Sequence, residues 1–376
     1  MTPVYLASGG VVCHAGRGLH ALQKGLLAPA SRPHYRTLTE ITPAVTVPWL
    51  PATQLDEENS AMALATAAVA DALVAYSPTQ RRNMALFIAS SSADLIGRER
   101  VYTAAVARGE SALPWIRPGA GLLASRLAEQ FGLGGGQYTI NTACSSGVHA
   151  LMYAAAAIRR GDCAHALVLG LECPGRVTLA GFNSLMLFTR SQCRPFDRER
   201  DGLILGQAAA AVVVDTDCQG PDFDRMQLLG AASACDTSSV TQTNADAARA
   251  LMTTALNAAG VTRVDAIKAH GTGTPGSDGA EAAAITAYMA ADYIPVTSIK
   301  PVLGHTLGAC GVLETLAMAV CWQAGCLPAT AGFRQPDPDA GLTPLTQVTA
   351  LPPGRMLLNY FGFGGNNGVL VLEYAP

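Results

Sequence analysis

The chain has 376 residues, of which 49% are hydrophobic and only 14% are charged, and its formal net charge at pH 7 is -3. This length predicts one large domain or two halves that share an interface. The slightly negative charge gives no general electrostatic reason to expect a nucleic-acid partner. The opening MTPVYLASGGVVCHAG lacks a basic segment ahead of a long apolar run, and the apolar run GQAAAAVVVD is too short to cross a bilayer. We therefore expect a cytoplasmic protein.

Helical and strand-like segments alternate along the chain. Helices are predicted in ENSAMALATAAVADALVAYS, GVHALMYAAAAIRRGD, DAARALMTTALNAAGV, GAEAAAITAYMA and TLGACGVLETLAMAVCWQAG. Strands are predicted, in order between and after them, in NMALFIASSSA, HALVLGLE, AAAAVVVD, VDAIKAHG, IPVTSIK, RMLLNYFGFGG and NGVLVLEY. Such alternation predicts an α/β fold with largely parallel sheets. The polar connection VVVDTDCQGPDFDR is the predicted boundary between two halves, residues 1–222 and 223–376.

The ten cysteines are scattered through the chain and form no CxxC pair. The closest two, Cys321 and Cys326, lie in a helical segment with no nearby histidine. We therefore expect neither a disulfide framework nor a zinc site, and no metal. Most of these cysteines, including Cys163, are predicted to be small core residues.

Cys144 lies in the stretch NTACSSGVHAL, between a predicted strand and a predicted helix. A thiol at this position faces unpaired backbone N–H groups and the positive end of the helix dipole, both of which favour the thiolate. The small residues around it leave room for a substrate. These features favour a nucleophile over a buried core cysteine.

Three further glycine-rich junctions follow or flank predicted strands. In KAHGTGTPGSDGAEAA, His270 ends a strand, while Asp278 and Glu281 have the spacing of a capping box that would start the next helix. In SIKPVLGHTLGACG, Lys300 and His305 flank a tight turn. The glycines of the helix that follows, at positions 308 and 311, predict close packing against a neighbour. In NYFGFGGNNG, a glycine-rich run brings backbone N–H groups close to a ligand.

A single histidine at a strand end is more often structural than catalytic. The remaining histidines have no comparable setting and are predicted to be structural or surface residues: His14, His20, His34, His149 and His165.

Together, the four junctions resemble the β-ketoacyl-acyl carrier protein synthases of the elongating type, in the thiolase-like superfamily. The family pattern is T-A-C-S/T-S-G, then H-G-T-x-T, then K-x-x-x-G-H-x-x-G-A-x-G, then G-F-G-G-x-N, and all four occur here in order. The segment RPFDRERDGLILGQAAAAVVV also matches, and RRNMALFI matches more loosely. The resemblance implies a thiolase-like layered αβαβα fold built from two similar halves, with the cysteine in the first half and both histidines in the second.

The chemistry implied by the resemblance is a decarboxylative Claisen condensation. Cys144 would take an acyl group from a carrier protein, with the backbone N–H groups of Cys144 and Phe363 as the oxyanion hole. His270 and His305 would stabilise the enolate formed when the malonyl thioester loses CO2. Lys300 would be a supporting charge, and Phe363 a gate between the malonyl and acyl pockets.

Further roles follow from the resemblance alone. Glu314 would pair with Lys300, while Asp278 and Glu281 would organise the site. Thr272 and Thr274 would bind the phosphopantetheine arm, which the carrier brings with it, so that no other cofactor is expected.

The expected partners are an acyl carrier protein and a second subunit. Carrier proteins of this kind are acidic, so Arg81, Arg82 and Arg194 are the predicted docking residues. A homodimer is expected, with a heterodimer as the alternative.

The sequence departs from the family pattern in two places. It has LGQAAAAV at a usually glycine-rich segment and the short CDTSSVTQTN loop, in which Asp236 keeps an acidic position. These departures favour polyketide or aryl polyene assembly over fatty-acid elongation. Two alternatives stay open: a non-catalytic subunit resembling a chain-length factor, and a non-decarboxylating thiolase, although GFGGNNG lacks the second cysteine of thiolases.

Overall fold

A computed structural model describes residues 2–29, 32–39, 43–52, 61–92, 95–111, 120–290 and 292–375. The first half contains the strands β1 (Tyr5–Cys13), β2 (Gly16–Arg17), β3 (His34–Leu38), β4 (Val45–Leu50), β5 (Met84–Ala89), β6 (Gln137–Ile140), β7 (His165–Glu172), β8 (Leu205–Gly206) and β9 (Ala208–Asp215). Its helices are α1 (Leu19–Leu26), α2 (Ala61–Ala72), α3 (Pro78–Arg82), α4 (Leu95–Ala107), α5 (Ala120–Phe131), α6 (Ser146–Arg160) and α7 (Arg176–Ser184).

The second half contains the strands β10 (Met226–Cys235), β11 (Ala266–Lys268), β12 (Val296–Thr297), β13 (Cys326–Leu327), β14 (Thr349–Ala350), β15 (Gly354–Phe361) and β16 (Asn366–Tyr374). Its helices are α8 (Ala245–Ala259), α9 (Pro275–Met289), α10 (Lys300–Leu303) and α11 (Cys310–Gln323), and short 3-10 turns cover Leu307–Ala309 and Phe363–Gly365.

The two halves repeat one strand order. In the first half the order is β6-β5-β7-β9-β1, and in the second it is β12-β11-β15-β16-β10. When only these five strands of each half are numbered, in chain order, both orders read 3-2-4-5-1. In both, strands 3, 2 and 4 are parallel and the last two pairings are antiparallel, so the sheet is mixed and the prediction of largely parallel sheets is wrong. The halves join where β1 pairs with β10, at Tyr5 and Gln227. The predicted boundary after residue 222 falls between β9 and β10.

Helices and strands stack in five layers, as the thiolase-like expectation requires. α2 and α5 cover the outer face of the first half, around the cluster that contains Leu64 and Leu127. α8 and α9 cover the outer face of the second half. α6 and α11 lie between the halves, within the largest cluster of buried apolar side chains. Strand β9 is buried along its whole length, as its continuous apolar sequence requires between two layers of helices.

The two central helices approach each other at glycines. A Cβ added to Gly311 of α11 would lie 2.1 Å from the backbone nitrogen of Val148, and one on Gly147 of α6 would lie 2.7 Å from the Cα of Gly311. A Cβ on Gly308 would lie 2.5 Å from the backbone nitrogen of Ser91. The predicted close packing at Gly308 and Gly311 is therefore confirmed. It fixes the starts of both helices next to each other.

None of the helices in the described part of the chain combines the length and hydropathy needed to cross a bilayer.

Substitution Gly311→Ala should destabilise the fold by about 3 kcal/mol or more, the upper end of the range for overpacked cores, because the added methyl group meets backbone atoms that cannot move aside. Denaturant unfolding measures this. The control is Gly121→Ala in α5, where an added Cβ meets nothing within 4 Å. That change should be neutral or stabilise by up to about 1 kcal/mol. Equal unfolding midpoints for the two variants would contradict the close contact.

Candidate active site

A cavity that is partly open to solvent is lined by Cys144, His270 and His305 together with Phe363. The four residues come from separate parts of the chain. Cys144 lies between β6 and α6, and His270 follows β11. His305 lies between α10 and the 3-10 turn before α11, and Phe363 follows β15. The fold thus brings together the residues that the sequence analysis selected from four distant motifs.

Cys144 and His305 are in direct contact. The Cys144 Sγ is 3.1 Å from the His305 Nε2, and both side chains are buried. The His270 ring lies edge-on to the His305 ring, with centroids 5.3 Å apart. The residue before the cysteine, Ala143, has a φ of +53°, a region that non-glycine residues rarely adopt. This strained turn points the thiol into the cavity from the start of α6.

The thiol of Cys144 is not acidic in this structure. Burial raises its pKa to about 11, although the Phe363 backbone N–H, the Lys300 charge and the Cys144 backbone N–H all act to lower it. Backbone N–H groups at the helix start do favour the thiolate, as predicted, but the loss of solvation outweighs them and the pKa is raised. The backbone N–H groups of Phe363 and Cys144 do both reach this sulfur, as an oxyanion hole around it requires.

Both histidines are neutral at pH 7. Burial lowers the pKa of His305 well below its usual value, and the charges of Lys300 and Lys268 lower it further. The same causes, with His305 in addition, act on the pKa of His270. A neutral imidazole 3.1 Å from a protonated thiol can accept its proton. The thiol and His305 therefore form a proton-transfer pair rather than a preformed ion pair.

The loop that carries His270 is held by the two acidic residues of α9. The Glu281 carboxylate accepts hydrogen bonds from the backbone N–H groups of His270 (2.7 Å) and Gly271 (2.8 Å). Asp278 accepts from the backbone N–H groups of Thr272 and Gly273, and both carboxyl groups are buried. Burial raises the pKa of Asp278 to about 6.

The predicted capping box is wrong. Helix α9 begins at Pro275 with Thr274 as its N-cap, so Asp278 and Glu281 lie inside the helix. Their carboxylates bind the preceding loop instead of the helix end. The same two residues therefore position His270, which agrees with the organising role that the resemblance implies.

Lys300 lies behind His270 and contacts Glu314. Its Nζ is 2.6 Å from a Glu314 carboxylate oxygen and 3.5 Å from the His270 Nδ1. Burial alone would lower the pKa of Lys300, but the Glu314 carboxylate more than offsets it and the pKa is raised. A second buried lysine, Lys268, was not among the predicted site residues and binds the other oxygen of Glu314. A charged residue at the end of a buried strand, two residues before His270, is the sequence feature that could have identified it.

Of the other predicted site residues, Thr272 and Thr274 line the cavity and Asp236 does not. Thr272 and Thr274 line the cavity, and their hydroxyl groups are 2.9 Å apart. Asp236 lies at the end of β10, where its carboxylate accepts from the backbone N–H of Ser238 (2.9 Å) and its own N–H donates to Gly365. It supports the loop that lines the cavity at positions 241–243. It does not line the cavity itself.

The predicted docking arginines are separated by the structure. Arg81 and Arg82 end α3, just before the amino end of β5. Strand β6 runs parallel to β5, and Cys144 follows the carboxyl end of β6. Arg81 and Arg82 therefore lie at the end of this sheet opposite to Cys144, and their role in docking stays a prediction. Arg194 is next to the loop of Thr272, but its guanidinium donates to Glu199.

Several residues of this region gave no distinct signal in the sequence. The ring of Phe182 in α7 stacks on Phe363, with centroids 5.8 Å apart and planes 14° apart. The Cys310 Sγ lies 2.9 Å from the Cys144 carbonyl oxygen. His149 is buried, as predicted, and contacts Thr142. Within the described residues, no three His, Cys, Asp or Glu side chains are grouped as a metal site would require.

Comparison with known proteins identifies the family. A profile of the β-ketoacyl synthase N-terminal domain matches residues 52–219, and one of the β-ketoacyl synthase C-terminal domain matches residues 226–334. The 3-oxoacyl-[acyl-carrier-protein] synthase 2 of Coxiella burnetii is 31% identical over 296 residues, which are 73% of this chain and 71% of that protein. The chain belongs to the β-ketoacyl synthase family.

Other members of this family are similar over different shares of their length. The highly reducing polyketide synthase sphB of Aspergillus fumigatus is 33% identical over 273 residues, which are 68% of this chain but only 11% of that protein. The structure of the ishigamide ketosynthase/chain length factor matches this chain with a TM-score of 0.87 at 25% identity. The match covers 100% of this chain and 100% of the matched chain. These similarities confirm the thiolase-like α/β fold that the motifs predicted.

In this member of the β-ketoacyl synthase family, alkylation of Cys144 by iodoacetamide should accelerate about tenfold per pH unit from about pH 7 to about pH 9. The thiolate is the reactive form, and its fraction grows tenfold per unit below the pKa. Mass spectrometry of peptides after timed labelling measures the rate, and the exposed Cys235 reports on the reagent in the same samples. A rate for Cys144 that levels off below about pH 8 would contradict the raised pKa.

Proposed function

We propose that this chain catalyses acyl transfer to Cys144 followed by decarboxylative condensation with a malonyl thioester on an acyl carrier protein. One observation carries the proposal: a buried cysteine in contact with one histidine and close to a second, in a cavity where two backbone N–H groups reach the cysteine sulfur. Acyl transfer and carbanion chemistry both create negative charge on a thioester oxygen. This arrangement supplies a separate donor set for each.

In the first step, the Cys144 S–H proton moves to the Nε2 of His305 as the sulfur attacks the acyl thioester. The new S–C bond forms, the oxygen becomes negative and is bound by the N–H groups of Cys144 and Phe363, and the carrier thiol leaves with the proton from His305. The Nδ1 of His305 has no hydrogen-bond partner among the described residues. Its proton can therefore lie on either nitrogen, as the two halves of the reaction require.

In the second step, the C–C bond to the malonyl carboxylate breaks and CO2 leaves. The electron pair passes to the thioester as an enolate, which the N–H groups of His270 and His305 stabilise. The carbanion carbon then attacks the acyl group on Cys144, the C–S bond breaks, and the sulfur leaves with the electron pair as a thiolate, which takes up a proton from solvent to restore the resting thiol. Lys300 donates to the Nδ1 of His270 at 3.5 Å, so the proton of a neutral His270 is held on Nε2, as a donor to the enolate requires.

The acyl group in this proposal is carried by phosphopantetheine on an acyl carrier protein, with no further cofactor. The hydroxyl groups of Thr272 and Thr274, which line the cavity, support hydrogen bonding to this arm. Arg194 is the one predicted docking residue that lies beside this loop. We further propose a polyketide-type pathway and a cytoplasmic location, both of which stay predictions of the sequence.

The chain is proposed to work as a dimer. The ketosynthase/chain length factor similarity supports a heterodimer with a related subunit, and the expected homodimer stays a prediction. That similarity also favours the second candidate function, a non-catalytic chain-length-factor-like subunit. Retention of Cys144, His270 and His305 in one cavity argues against it.

Intact-protein mass spectrometry after incubation with a panel of acyl-carrier proteins tests the proposal. We expect an acyl adduct on the wild type that Cys144→Ala abolishes, and release of CO2 from malonyl-carrier protein during condensation. His270→Ala should slow condensation at least about 100-fold, the loss typical of one oxyanion donor. The matched control is His34→Ala, at an exposed histidine.

Three other outcomes would contradict the proposal. Absence of any adduct, together with activation of a related synthase on mixing, would favour the chain-length-factor function. Condensation of acetyl-CoA without CO2 release would favour a thiolase. Loading that survives Cys144→Ala would remove the nucleophile assignment.

Substitution Phe363→Ala should disturb the order of substrate entry, because it removes the ring that stacks on Phe182 at the cavity. We expect malonyl thioester to be decarboxylated before Cys144 is acylated, which separate assays of CO2 release and acyl loading measure. Phe363→Leu keeps most of the bulk and is the control. Unchanged rates with unchanged order of binding would count against a gate at this residue.

A further inference from the structure

Lys268 is one of only three lysines in the sequence, with Lys24 and Lys300. Lys24 is exposed, whereas the side chains of Lys268 and Lys300 are 0% and 2% exposed. A buried charge is costly unless it is paired and hydrogen-bonded, so two of them on one carboxylate need a reason. Packing alone would be served better by an apolar residue of the same length.

The surroundings of Lys268 suit an ammonium group. Its Nζ contacts a carboxylate oxygen of Glu314, donates to the Asn359 carbonyl oxygen at 2.8 Å and lies 3.7 Å from the centroid of the Tyr360 ring. These three partners match the three N–H bonds of an ammonium group, whereas a neutral amine has only two. Burial lowers the pKa of Lys268, and the Glu314 carboxylate acts against that fall.

Lys268 and Lys300 bind Glu314 from its two oxygens. Lys268 takes one carboxylate oxygen and Lys300 takes the other at 2.6 Å. Because each oxygen has its own cation, Lys300 does not bind both, and its Nζ stays within 3.5 Å of the His270 Nδ1. Without Lys268, the free oxygen of Glu314 would draw the Lys300 ammonium group away from His270.

Lys268 also reaches His270 by a second route. It binds the carbonyl of Asn359, and the Asn359 side chain donates to Glu281 at 2.9 Å. The same Glu281 oxygen accepts from the His270 backbone N–H. The histidine is thus connected to Lys268 through its ring and through its backbone.

We propose that Lys268 is a positioning residue of the condensing site, a second buried cation that holds Glu314 so that Lys300 faces His270 and keeps the donor proton of His270 on the nitrogen nearer the substrate. This inference rests on the proposed function. Lys268 does not line the cavity and does not touch the reacting atoms. It acts on the malonyl half of the reaction through His270.

The charged and titratable groups around Lys268 come from several elements: Glu314 and Cys310 of α11, Lys300 of α10, Glu281 of α9 and Tyr360 of β15. Its charge also lowers the pKa of His270 and of His305. Removal of this charge should therefore raise both histidine pKa values. Since the reaction needs neutral imidazoles, the acid limb of the pH profile should move to higher pH.

The test compares Lys268→Met with the wild type and with Lys24→Met. At about pH 8, Lys268→Met should slow decarboxylation of malonyl-carrier protein about tenfold or more through kcat, because a donor to the enolate is lost. Acyl loading of Cys144 should change by less than about threefold, since His305 touches neither lysine. The midpoint of the acid limb in the pH profile of kcat/KM should move about one pH unit higher, the shift that one nearby charge produces. Lys24→Met should leave all three unchanged.

A purely structural Lys268 would give a different result. Equal losses in loading and decarboxylation, with an unmoved acid limb and a lowered melting temperature, would overturn the proposal. If Lys268→Met does not fold, Lys268→Gln keeps hydrogen-bond donors without the charge, and it should show the same shift of the acid limb. An unmoved limb in Lys268→Gln would also overturn it.

A second measurement follows the charge of the buried lysines directly. Protein labelled with 13Cε-lysine has only three lysine signals, and Lys24→Met assigns the exposed one. Both buried lysines should carry the shift of the protonated form at pH 7, and a neutral buried lysine would overturn the proposal. This titration needs no substrate. A wild type that neither loads nor condenses would therefore remove the proposed function while the charge of Lys268 is still determined.

Discussion

The close approach of α6 and α11 is the constraint on which the site depends. Gly147 and Gly311 let the two backbones meet where each helix begins. Cys144 lies just before α6, and His305 lies five residues before α11. A side chain at either glycine would push the helix starts apart, and the 3.1 Å contact between the thiol and the imidazole would be lost. The repeated strand order explains why such a meeting point exists: two similar halves place equivalent helices face to face at one interface.

Burial then determines the charge states in this site. Removal from water favours uncharged groups, so Cys144 is a thiol and both histidines are neutral. The helix start and the backbone donors act in the other direction but are weaker here. The charges that remain are placed behind the histidines, where each is paired. Glu314 holds two lysines, and Glu281 holds the backbone of the His270 loop. The cavity itself is thereby left with neutral donors, which suit the anionic intermediates of the proposed reaction.

The sequence predicted the chemistry-bearing residues better than it predicted their local surroundings. Cys144, His270, His305 and Phe363 were selected from motif context, and all four line one cavity. Helices α6, α8 and α11 and strands β5, β7, β9, β15 and β16 were found from their apolar patterns. The spacing of Asp278 and Glu281 indicated a capping box, but the loop before α9 had unpaired N–H groups that competed for both carboxylates. Arg81 and Arg82 were selected from a short segment that is similar to the family. Such a local similarity does not reveal at which end of the sheet the two residues lie.

The sequence by itself determined the family and the α/β class, and it selected Cys144, His270 and His305 as candidate catalytic residues, because each depends on short motifs whose residue types are dictated by the chemistry. The tertiary structure alone decided the protonation of Cys144, the partners of the acidic residues and the place of Lys268. Each of these depends on solvation and on contacts between residues far apart in the chain, such as Lys268 with Glu314 and Asn359. A local sequence pattern determines neither the solvation of a side chain nor its distant contacts, because both arise only when the two halves pack around the central helices.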